Sequence, residues 1–279
     1  MANLFSGLDA FGLGNLKEMN VYDAKEKEDS KKAASEDKNA FAEESIIFDK
    51  TFTCPVCDEE FKSKMVKSGK IKLASLDSDL RPRYQLMDPL KYDAIVCPHC
   101  GYAALNRFFN YATSTQAGLI QKNISVSFKG LKQTGDILTY DDAIARHKLA
   151  LVNAIVKKSK TSERAYICLK TAWLLRGKAE SLSPELPDYD SQIAGLNQEE
   201  LEFIQQAYDG FDEAFSTELF PMCGMDEITI TLLVADLARR VGKYDAAGRW
   251  ISKVLISREA NERIKQKARE IKELIKEER

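Results

Sequence analysis

Long apolar runs are missing from this chain. None of its 279 residues falls in a stretch near the ~18 consecutive apolar residues of a membrane-spanning helix. Charge of one sign is missing too. Forty-one basic side chains face 43 acidic ones, for a formal charge of −2, whereas a general nucleic-acid coat is normally basic. Histidine is scarce, with two residues in the whole chain. His99 sits inside a cysteine turn, and His147 lies on an apolar helical face that suits a packed core residue. A Ser-His-Asp or Cys-His site would depend on His147 alone. Phosphate-cradling glycine loops, G-x-S-x-G and H-E-x-x-H are all lacking, so no catalytic residue is assigned. The first basic residue is Lys17, too late for the charged leader of a secretory signal. A reducing, cytoplasmic setting is the expectation.

Cysteine is what the chain does have. Of six, four form two Cys-x-x-Cys pairs, Cys54/Cys57 and Cys97/Cys100, while Cys168 and Cys223 stand alone. Zn²⁺ favours four thiolates in a tetrahedron at ~2.3 Å, and each Cys-x-x-Cys turn offers two sulfurs to one side of the ion. Pro55 and Pro98 fix φ after the first cysteine of each pair, and Gly101 permits a left-handed turn. One Zn²⁺ per chain, held by Cys54, Cys57, Cys97 and Cys100, is the expected cofactor. Iron would accept the same donors, and a thioredoxin-like dithiol is the weaker alternative, since neither pair sits in a βαβ pattern.

Around the cysteines the chain reads as α+β: a zinc-ribbon-like β head, then a mostly helical, tetratricopeptide-like bundle. Residues 1–45 form an N-terminal segment and a linker. Within it, residues 23–45 carry eight acidic and five basic side chains with few apolar ones, a composition that cannot offset chain entropy by burial. Residues 46–111 form the head. Ile46 to Phe52 predicts a strand entering Cys54, Lys64–Leu76 a hairpin, and Ala94 to Val96 a strand entering Cys97. Residues 112–257 show helical periodicity. Ala143, Trp173, Ala207, Ala247 and Ile251 sit on apolar stripes that predict burial, with a helix ending at Gly177 and one long break at Ser181–Asn197. Residues 258–279 read as a charged capping helix with a narrow stripe of Ile264, Ala268, Ile271 and Ile275.

The ordered string Phe52-Thr53-Cys54-Pro55-Val56-Cys57, Asp77 to Tyr84, Asp88-Pro89-Leu90-Lys91-Tyr92-Asp93 and Cys97-Pro98-His99-Cys100-Gly101-Tyr102-Ala103 carries a resemblance. It resembles a bacterial family known as a domain of unknown function, over roughly residues 46–257. The resemblance implies a cysteine-rich head followed by a tetratricopeptide-like tail, and it implies no activity.

Two sets of charged residues are candidate contact surfaces: Arg81, Arg83 and Lys91 between the cysteine pairs, and Lys170 and Arg240 on the helices. Arg176 and Asp236 should line the same helical groove. A protein or peptide partner is the leading expectation. The alternative is a zinc-ribbon nucleic-acid binder, disfavoured because the head's ten basic and eight acidic residues fall back to about neutral once four thiolates and Zn²⁺ are counted.

Overall fold

The computed structural model describes residues 7–12, 14, 43–131 and 135–279. The expectations for residues 1–45 therefore lie almost wholly outside the described residues.

Three antiparallel strand pairs build the N-terminal part. β1 (Ile47–Thr53) pairs β2 (Glu60–Val66) in a register that sets Phe52 opposite Phe61. β3 (Leu73–Leu76) pairs β4 (Pro82–Tyr84), and β5 (Ala94–Val96) pairs β6 (Ala103–Leu105). The expected hairpin within Lys64–Leu76 does not form. Its first half joins β1 around the first cysteine turn, and its second half joins β4 around a tight turn at residues 77–81. That turn is closed by Leu80 N–H donating to Asp77 O and Asp77 N–H donating to Arg81 O.

Seven helices follow among the described residues: α1 (Ser114–Ile120), α2 (Tyr140–Val156), α3 (Thr161–Ser181), α4 (Tyr189–Thr217), α5 (Glu227–Arg240), α6 (Tyr244–Ile256) and α7 (Glu262–Glu278). Their starts follow capping chemistry. Thr113 and Thr139 make reciprocal capping boxes with Gln116 and Asp142, and Asp226 and Asn261 each accept from a backbone N–H in the first turn. Two boundaries depart from the sequence reading. The break after α3 spans only residues 182–188, because Pro184 and Pro187 stop the chain there while Gly195 is carried inside α4. An interior helical glycine costs only about 1 kcal/mol relative to alanine, which packing overrides. Nor does α3 end at Gly177. A Cβ there would lie 2.7 Å from the Tyr140 ring and 2.9 Å from the Arg81 guanidinium, so this glycine marks a close approach.

α2 lies against β5 and β6. One buried apolar cluster runs from Phe52 through Ile95, Leu151, Trp173 and Phe211 to Ile275, so strands and helices share it. Ala143, Trp173, Ala207, Ala247 and Ile251 are all buried in it, as their stripes predict. No described helix is long and apolar enough to cross a membrane.

Candidate metal centre

Each cysteine turn sits where two strands of a pair meet. In the first, Cys54 N–H donates to Glu59 O and Asp58 N–H donates back to Cys54 O. In the second, Cys97 N–H donates to Tyr102 O and Gly101 N–H donates to Cys97 O, with Gly101 at φ +74°. That left-handed φ suits glycine. Phe52 and Phe61 stack on one another and meet the Phe109 ring edge-on, and the Tyr102 hydroxyl donates to Phe109 O at 2.9 Å. The second turn is also tied to the helices, since the Asn153 side-chain amide of α2 donates to Gly101 O at 3.1 Å.

These ties bring four sulfurs together. Cys54 Sγ lies 3.6 Å from Cys100 Sγ, Cys57 Sγ lies 3.7 Å from Cys97 Sγ, and all four fall within 4.8 Å of one another. None is in a disulfide. Four thiolates at ~2.3 Å from a tetrahedral ion stand ~3.8 Å apart, so the donor set and its spacing both fit a metal ion. Cys54, Cys97 and Cys100 are buried, and Cys57 is partly exposed. Hydrogen bonds from Cys100 and Cys54 push the Cys97 thiol well down, and contacts with Cys54 and Cys97 push that of Cys100 up.

The family comparison bears on the whole assembly. Residues 47–275 match the model of a family described as an uncharacterized protein conserved in bacteria (DUF2225). The chain belongs to that family. No curated protein and no solved structure matches it.

The charged segment between the cysteine turns is bonded into the helices. Asp79 is fully buried, 2.6 Å from Arg176 of α3 and 3.5 Å from Arg240 of α5. Burial alone would raise its carboxyl, but Arg176 and Arg240 outweigh that and hold it below the usual carboxylate range. Arg176 also pairs with Asp77 at 3.1 Å and with Glu200 of α4 at 2.6 Å. Arg239 and Arg240 both reach Ser78 Oγ and both pair with Asp236, and Arg239 also holds Glu278 of α7.

The candidate contact residues are accordingly engaged within the chain. Arg81 pairs with Glu180 and Arg83 with Asp77 and Glu180, while Lys91 pairs with Glu43 at 2.8 Å. Lys170 stands 2.5 Å from Asp93, and Arg240 is shared between Asp79 and Asp236. Asp236, expected to line a groove, is instead fully buried beneath Arg239 and Arg240. The face of α3 and α5 assigned to a partner receives the chain's own residues 77–81. Glu43, within the expected linker, is buried and accepts from Lys91 and from the Tyr92 hydroxyl. Glu180, Glu200 and Glu278 carry no local signal, because their partners lie 97 and 99 residues away, across a helix break, and 39 residues away, respectively.

The two histidines stand apart from this chemistry. His99 is exposed, and His147 is fully buried with Nδ1 donating to Ala143 O at 2.8 Å. Burial pushes the His147 imidazole down to about 4, so it is neutral at pH 7.

Proposed function

We propose that the chain is a cytoplasmic, Zn²⁺-stabilised interaction scaffold, a zinc-ribbon-like head clasping a tetratricopeptide-like helical array. The observation that carries it is the gathering of Cys54, Cys57, Cys97 and Cys100 at tetrahedral spacing. Four thiolates leave no open position for water, so a bound Zn²⁺ supplies folding free energy rather than a reactive centre. The chain's own residues extend that constraint. With both ends of the segment between the cysteine turns pinned, Asp77, Ser78 and Asp79 are held where Arg176, Arg239 and Arg240 reach them. The head thus fixes α3 and α5 relative to one another, as a scaffold requires. Arg81 and Arg83 brace the same segment through Glu180 of α3 and Asp77.

Elemental analysis of full-length protein made without added metal tests the first part, with about one zinc and little iron expected. In-cell cross-linking of the metal-loaded chain tests the second, with a recurrent protein partner expected. Fluorescence anisotropy with mixed oligonucleotides at physiological salt separates the nucleic-acid reading. Submicromolar binding that falls steeply with salt would replace the scaffold by it.

A further inference from the structure

α6 and α7 line an open cleft of about 540 Å³. That volume could accommodate a few side chains. Its floor is aliphatic. Ile251 and Ile275 are nearly buried there beside Leu255, and a Cβ placed on Gly248 would meet nothing within 4 Å.

Its rim is cationic in a chain of net charge −2. Lys265, Arg269, Lys272, Lys276 and Arg279 recur at alternating four- and three-residue steps along α7, which makes one basic stripe. Arg249 of α6 faces the cleft beside Lys272, Lys276 and Arg279. Some of this charge is spent internally: Arg279 pairs with Asp245, Lys276 with Glu273 and Arg269 with Glu262. Arg249 and Lys272 are exposed and pair with no acidic side chain among the described residues. Lys272 has no acidic residue three or four positions away in either direction. No ion pair at the neighbouring helical positions therefore offsets its charge.

We infer that this cleft docks an acidic peptide segment of a partner protein, with an aliphatic side chain on the floor and carboxylates on Arg249 and Lys272. The inference rests on the scaffold reading and names its partner's chemistry. Charge complementarity selects an anion, and the aliphatic floor selects a peptide over a nucleic acid. Base stacking needs a free aromatic face. Tyr244, the ring at this cleft, has the Arg279 guanidinium 5.7 Å from its centroid.

The test uses the full-length chain and a short synthetic peptide with leucines at helical spacing among glutamates, followed by fluorescence anisotropy. Saturable binding is expected. It should weaken at least about tenfold when Arg249→Glu and Lys272→Glu are combined, because opposed rim charges become repulsive. Gly248→Phe, which fills the floor without changing charge, should weaken it comparably, with thermal melts of both variants unchanged. Replacing the peptide's leucines by serine should abolish binding. The inference is overturned if no saturable binding occurs, or if the serine peptide or a single-stranded RNA binds equally well through the same residues. Failure here overturns the cleft alone. The scaffold reading fails separately, when cross-linking of the metal-loaded chain returns no partner.

Discussion

Two basic regions of this molecule have opposite fates. Arg176, Arg239 and Arg240 are largely buried, and each meets at least one carboxylate from a distant part of the chain or its own helix. Arg249 and Lys272, one and two helices further on, are exposed and form no ion pair among the described residues. Nothing in residue type distinguishes the sets. What does is contact with the segment between the cysteine turns, whose Asp77, Ser78 and Asp79 meet Arg176, Arg239 and Arg240. The cations that meet this segment are bonded into the fold, and Arg249 and Lys272 stay exposed.

The comparison breaks most completely at the metal. Cys97→Ser should remove the ion and with it folding free energy on the order of 10 kcal/mol, as structural zinc sites supply. Because one apolar cluster spans strands and helices, the loss should broaden the melting of the whole chain rather than of residues 46–111 alone. Circular dichroism melts beside elemental analysis would show both.

Next in size is the clasp. Asp79→Ala leaves Arg176 and Arg240 facing a vacated buried site, and breaking a buried pair in this way costs about 3–5 kcal/mol. Urea denaturation should show that loss, while Lys272→Glu should stay within about 0.5 kcal/mol of the native chain, as exposed substitutions do. Equal effects from the two would erase the distinction drawn here.

Gly177→Ala sharpens the same contrast on a smaller scale. Alanine gains about 1 kcal/mol of helix propensity. Against that stands a Cβ 2.7 Å from the Tyr140 ring and 2.9 Å from Arg81, and overpacking of this kind costs about 1–3 kcal/mol. The clash should win, with a lower melting temperature. Gly248→Ala, over open space, should raise it.

The pH dependence follows from two groups. Asp79 has a folded pKa below its unfolded value, so its contribution is present above the usual carboxylate pKa of about 4 and is lost as pH falls through the lower folded value. Asp79→Asn should therefore flatten the acid limb of stability. His147 is buried neutral, with its folded pKa near 4 against an ordinary 6.5, so stability should decline as pH falls between those values. His147→Gln should remove that slope, read from urea midpoints across the interval.

The cysteine site was legible because its chemistry is local. Two short turns, each with a proline and the second with a glycine, specify both donors and geometry within a few residues. The apolar stripes of α2 to α6 were legible for the same reason, since a helix repeats its signal every turn. The clasp was not. Asp79 and Arg176 are 97 residues apart, and Ser78 and Arg240 are 162 apart, so no window holds both partners. Nor does any local pattern mark the turn at residues 77–81, with Leu80 at φ 65°, that presents Asp79 to the helices. Glu43 was lost in a charged stretch whose average composition hid one buried carboxylate.

Hydrogen–deuterium exchange of the full-length chain, loaded with zinc and then stripped by a chelator, tests the central claim most directly. If the cysteine site positions the segment that grips the helices, stripping should deprotect residues 46–111 and also α3 and α5 around Arg176 and Arg240. Unchanged protection of α3 and α5 after verified metal loss would contradict it.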